Sequence, residues 1–121
     1  MRSLLRYVIL RHENIAAPHF DLMFETTPGG LLATWRSDFW PIVQPTPLLR
    51  LGDHRRDYLT YEGPLTGNRG SVRRIEAGTF VRQTPSAAEI KVELTTGSAT
   101  RKMQLTLDVG GERRWTARMQ E

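Results

Sequence analysis

The 121-residue chain has no cysteine. Disulfides and thiolate metal sites are therefore excluded. Any transition-metal site must use histidine and carboxylate, a donor set that suits Mn, Fe, Zn or Ni. Histidine is scarce as well, with only His12, His19 and His54. Lysine is scarcer, 2 residues against 15 arginines. No apolar run approaches the ~20 residues of a membrane span. The basic start, Met1-Arg2-Ser3-Leu4-Leu5-Arg6, is interrupted at Arg6 before a signal-peptide core can form, so the expected address is the cytoplasm. A helical period is missing too: no segment of adequate length repeats its apolar residues every 3.6 positions.

What is present fits a soluble domain. Hydrophobic content of 39% and charged content of 25% are ordinary for one, and the length suits one domain, 1–121, around one core. The net charge is +4 and the sequence pI about 10.1. Arginine carries a planar fork suited to phosphate oxygens, so a phosphate-bearing partner is reasonable. A preference for Arg over Lys also follows from genomic base composition, and the charge gives mild support only.

The local signals are nearly all strand. Leu4 to Leu10 is β-branched, aromatic and apolar, and His19 to Glu25 alternates with Phe20, Leu22 and Phe24 on one face. Leu31–Trp35, Leu48–Leu51, Tyr58–Tyr61, Ala87–Thr95, Met103–Val109 and Arg113–Met119 read as further strands. Ser71–Ile75 and Gly78–Gln83 read as a hairpin around Glu76-Ala77. Phe39 to Pro47 holds Pro41, Pro45 and Pro47 and reads as an irregular loop. Many short strands with regular turns predict an all-β fold, a single compact antiparallel barrel or sandwich with a Pro-rich connecting loop. Ile90, Val92, Leu94, Met103, Leu105 and Leu107 are expected in its core.

Two stretches carry chemistry. If the first two strands pair around a loop from Glu13 to Pro18, His12 and His19 face each other at its mouth. His19 and Asp21 then share a face, roughly 7 Å apart at ~3.3 Å per residue. Two imidazoles and a carboxylate converge on a volume that suits one divalent ion, although His-x-Asp is also common on strands where both side chains are simply solvated. The second stretch is Gly52-Asp53-His54-Arg55-Arg56-Asp57-Tyr58. There His54 and Tyr58 fall on one side and could bind a phosphate and give a proton to a leaving oxygen. An exposed polar turn is the plain alternative.

In order, His12, His19-Phe20-Asp21-Leu22-Met23-Phe24-Glu25, Gly30-x-Leu-x-x-Trp35, Asp53-His54 with Tyr58, Glu62-Gly63, Gly67, Gly70 and Gly78-Thr79 resemble the 3′-phosphoesterase domain of bacterial DNA ligase D. The resemblance runs from about Tyr7 to Phe80, and all three histidines fall on family positions. It implies a compact β-barrel and a Mn²⁺-dependent enzyme that removes a 3′ phosphate or 3′ ribonucleotide from DNA, leaving a 3′ hydroxyl for the ligase and polymerase of an end-joining system. By position it implies His12, His19 and Asp21 as metal ligands and His54 and Tyr58 on the scissile phosphate. Two departures stand out. Met23 occupies the place of an Arg that grips phosphate, and Gly52 the place of a Glu. The loop between the first two histidines is one residue longer, and the family's charged amino-terminal arm has no counterpart in this sequence. Arg11, Arg36, Arg55 and Arg56 are the candidates to replace the missing Arg. Two other readings remain open: a barrel that binds nucleic acid or metal without catalysis, and a non-haem iron oxygenase using His19, Asp21 and His54 as its facial triad.

Overall fold

The computed structural model describes residues 4–120; Met1 to Ser3, within the basic start, and Glu121 lie outside the described residues. Nine strands follow in chain order: β1 (Leu5–Glu13), β2 (His19–Glu25), β3 (Leu32–Ser37), β4 (Thr46–Arg50), β5 (Gly63–Pro64), β6 (Ser71–Ser86), β7 (Glu89–Thr96), β8 (Ala99–Leu107) and β9 (Arg114–Gln120). They make one antiparallel sheet in the order β1-β2-β3-β4-β9-β8-β7-β6-β5, and β1 also pairs with β6, so the sheet closes in a ring. The fold is all-β. Among the described residues one short 3-10 helix, Arg56–Leu59, interrupts the strands, and no helix is long and apolar enough to cross a membrane.

Alternation explains the core. Tyr7 pairs with Phe24 and Ile9 with Leu22, which turns these four into the ring. There they meet Trp35, Phe80, Leu94, Met103, Leu105 and Trp115. Val92, Leu94, Met103 and Leu105 are buried as expected. Ile90 and Leu107 are only partly buried, because both lie at strand ends. Val109 lies beyond the end of β8 and is fully exposed.

Three local expectations are corrected. Tyr58–Tyr61 is not a strand: Asp57 O accepts from the N–H of Thr60 (3.2 Å) and Tyr61 (2.9 Å), which closes a helical turn and lets Leu59 point into the sheet. Ser71–Gln83 is not a hairpin but part of the 16-residue β6. The register with β1 steps from Ile9↔Glu76 to Leu10↔Arg74, leaving Ile75 as a bulge. Glu76 reads as a turn residue by polarity, yet it is satisfied inside the fold, where it accepts from Tyr7 OH (2.7 Å) and Trp40 Nε1 (3.2 Å) and pairs with Arg101. Gly78 then lets β1, β6 and β7 close up, since a Cβ there would lie 2.1 Å from Thr95 O. Finally, the loop from Phe39 ends earlier than expected, because Thr46 and Pro47 already belong to β4. Pro47 pairs with Thr116, and the β3 ladder stops at Leu48, so no β3 partner needs its missing N–H.

The outer face of β2 is also buried, against the polar-face expectation. His19, Asp21, Met23 and Glu25 are each at most 6% exposed. Leu59 and Val72 form a second cluster with Val8, Leu10, Met23 and Leu32, which covers part of this face. Glu25, at its far end, accepts from the N–H groups of Arg6 (2.6 Å) and Gly29 (3.1 Å) and pairs with Arg56. Burial alone would raise its carboxyl, but the Arg56 guanidinium and the two N–H groups outweigh it and hold the group below its ordinary value. A lowered folded pKa adds stability above the unfolded pKa and loses it as pH falls through the folded one. Glu25→Gln should therefore cost ~1–3 kcal/mol near neutral pH and flatten the acid loss. Urea unfolding at about pH 7 and about pH 3 measures both; equal stability of the two proteins at both would refute it.

Candidate metal centre

The β1–β2 hairpin builds the site. Its rungs pair His12 with His19 and Leu10 with Asp21, so all three polar side chains leave the same outer face. His12 Nδ1 lies 3.6 Å from Asp21 Oδ2, and His19 Nε2 lies 3.3 Å from Asp21 Oδ1. The two imidazole centroids are 4.8 Å apart. One ligand atom from each residue falls within 4.8 Å of the others. Adjacent ligands at ~2.1 Å from an octahedral ion are about 3 Å apart, close to the two His–Asp separations.

Hydrogen bonding fixes the tautomers. His12 Nε2 donates to Arg69 O (2.6 Å) and His19 Nδ1 to Ala17 O (2.9 Å). A carbonyl only accepts, so those nitrogens carry the protons. The other two nitrogens present lone pairs beside a carboxylate, which makes three acceptors and no donor. Asp21 Oδ1 is buried without a hydrogen-bond partner; its 3.3 Å approach to His19 Nε2 is an acceptor facing an acceptor in this tautomer. The cluster calls for a cation at its centre. A proton is one answer: the Asp21 carboxylate raises His19 above its ordinary value, against burial. A metal ion is the other, and backbone carbonyls on the far ring nitrogens are the usual support for metal-ligating histidines.

Gly70 places one of those carbonyls. It takes φ +79, and a Cβ there would sit 2.3 Å from Glu13 O and 2.6 Å from Ile15. Only glycine lets the 66–70 turn lie against the hairpin loop and bring Arg69 O to His12. Sequence reading marked Gly67 to Gly70 as a turn and missed Arg69 and Ala17, because nothing local shows which histidine a backbone carbonyl reaches.

The candidate arginines divide. Arg36 pairs with Asp21 across β2–β3 and so stands on the metal face. Its charge opposes protonation of His19. Arg11 pairs with Phe20 and faces the other way, its guanidinium 4.6 Å over the Phe20 ring. Arg56 is tied to Glu25 and to Gly30 O (3.2 Å) at the opposite end of β2. Arg55 lines a groove of about 240 Å³ with Tyr58 and Arg69. His54 and Leu32 exchange backbone hydrogen bonds of 2.8 Å. His54 Nδ1 donates to Gly52 O (2.8 Å), and its ring meets Tyr58 edge-on at 5.8 Å. Tyr58 packs on the cluster that holds Met23. His54 stands outside the metal-ligand group, so among the described residues the oxygenase triad is not assembled.

Comparison with models of known protein families finds no match, and comparison with curated proteins finds none either.

Proposed function

We propose that the protein is a Mn²⁺-dependent phosphoesterase that converts a DNA 3′ phosphate or 3′ ribonucleotide to a 3′ hydroxyl, and that its closed sheet is the β-barrel of the DNA ligase D phosphoesterase domain in short form. One observation carries the reading: His12, His19 and Asp21 converge as three acceptors whose tautomers are fixed by backbone carbonyls.

His12 Nδ1, His19 Nε2 and Asp21 are the atoms that would hold the ion. When bound, it supplies Lewis-acid polarisation of a phosphoryl oxygen and a more acidic water. The other roles belong to the chain. Arg36, beside Asp21, gives a fork to a non-bridging oxygen. Tyr58 gives a phenolic donor, and protonated His54 gives its Nε2–H, to the oxygen that gains charge. Arg55 and Arg69 line the groove that takes the rest of the strand. The product is the 3′ hydroxyl that a polymerase or ligase needs.

The test is a labelled duplex ending in a 3′ phosphate or 3′ ribonucleotide, incubated with Mn²⁺. Release of a 3′ hydroxyl supports the enzyme. Met23, buried in an apolar cluster where the resemblance expects Arg, favours a second reading, a barrel that binds nucleic acid without catalysis. Mn²⁺ and DNA binding without product would establish that reading, and failure to bind DNA at low salt would overturn both.

His54→Ala separates phosphate chemistry from metal binding. It should slow single-turnover cleavage by ~10²-fold or more and leave Mn²⁺ affinity, read by electron paramagnetic resonance, within a factor of about two. Loss of metal affinity in proportion to activity would remove His54 from the phosphate.

A further inference from the structure

The core side of the ring holds a second feature, unrelated to the metal face. At the end of β2 away from His19, a cavity of about 330 Å³ opens between the turns that follow β2 and β6. Trp35, Phe80, Leu105 and Trp115 form its apolar wall, and Arg50 and Arg82 stand in its lining. Two facts distinguish it from a packing defect. The indole nitrogens of Trp35 and Trp115 are buried and have no hydrogen-bond partner, although both residues are more than nine-tenths buried. Buried indole N–H groups normally find an acceptor. Secondly, no Asp or Glu lines the cavity. Its polar complement is therefore all donor, two indoles and two guanidinium groups. Arg50 is partly committed, to Asp53 (3.1 Å) and over the Trp35 ring (4.6 Å). Arg82 is exposed and donates only to Thr26 O (3.0 Å) among the described residues.

We infer that this cavity binds a small apolar carboxylate, its ring or chain on the tryptophan wall and its carboxylate on Arg82 and the unpartnered indole N–H groups. An anion supplies what the lining lacks, an acceptor with several lone pairs. A neutral apolar molecule would leave both indoles unpartnered and is disfavoured by that cost. The volume lies at the lower end of the range for ligand pockets, ~300–1,000 Å³. That is room for a one-ring acid or a short fatty acid and too little for an oligonucleotide. The inference does not depend on the phosphoesterase reading, because the metal ligands leave the opposite face of β2.

The three tryptophans make the test selective. The indole N–H signals of the ¹⁵N-labelled protein are followed while phenylacetate, 4-methylbenzoate or hexanoate is added. Trp35 and Trp115 should shift saturably with at least one of them. Trp40, whose N–H is held by Glu76, should stay in place. Phenylacetamide, the neutral isostere, should bind about tenfold or more weakly than phenylacetate. Arg82→Gln, which keeps an amide donor for Thr26 O but drops the charge, should weaken the best acid by about tenfold. No saturable shift with any of the three acids at millimolar concentration would overturn the inference. So would equal affinity of acid and amide, or a shift confined to Trp40.

Discussion

Asp21→Asn should fold as well as the wild type and bind no Mn²⁺. The two histidines keep their carbonyl partners at Arg69 and Ala17, and their free nitrogens face position 21 as lone pairs. The Asn amide nitrogen would place a donor against acceptors, so the apo protein gains a hydrogen bond where Asp21 Oδ1 now has none. The same donor repels a cation. Supporting groups around a metal typically change affinity by 10–100-fold, so loss of a ligand charge should exceed 100-fold. Thermal melting reads both effects at once. At about 100 times its Kd, an ion that binds only the folded state adds ~2.7 kcal/mol, and the wild type should melt several degrees higher with Mn²⁺. Asp21→Asn should melt at or above the wild-type apo temperature and not move with Mn²⁺. Release of a 3′ hydroxyl should disappear with it. A variant that still gains stability from Mn²⁺ would show that the three acceptors are not the metal site, and the phosphoesterase reading would lose its basis.

The metal cluster was legible in the sequence because it is local. One hairpin carries all three residues, and period-two alternation with one register fixes their faces. His12↔His19 and Leu10↔Asp21 are consequences of pairing β1 with β2. The core of β7 and β8 was readable for the same reason. What escaped is what depends on contacts distant in sequence. Glu76-Ala77 resembles a turn until Tyr7, Trp40 and Arg101 arrive from three other segments to satisfy the carboxylate. The outer face of β2 reads as solvated until Leu59 and Val72 cover part of it. Arg11 and Arg36 look equivalent as charges, yet one step of register sends them to opposite faces of the sheet. The second stretch falls between these cases. His54 and Tyr58 do meet, but through a helical turn instead of a strand, since four residues are too few to declare a period.

Met23→Arg gives the largest change expected in stability, and it tests what the departure at this position means. From sequence alone the substitution restores a phosphate fork. In the fold, Met23 is 1% exposed, in a cluster with Val8, Leu10, Leu32, Leu59 and Val72 that holds no carboxylate. A guanidinium there would be a buried charge without a partner, which costs about 3–5 kcal/mol. For a domain of this size each kcal/mol moves the melting point by roughly 3–5 °C, so a fall of at least about 10 °C is expected. Met23→Leu keeps the apolar volume and should cost under about 1.5 kcal/mol. Activity separates the two meanings. If position 23 has passed from phosphate binding to packing, Met23→Leu leaves cleavage unchanged, Met23→Arg loses stability without gaining activity, and Arg36 is the fork whose removal by Arg36→Gln lowers turnover. If Met23→Arg melts near the wild type and cleaves faster, its side chain has escaped past Leu59 to the metal face. The cluster is then a phosphate site closed by a single substitution, and the role assigned to Arg36 falls.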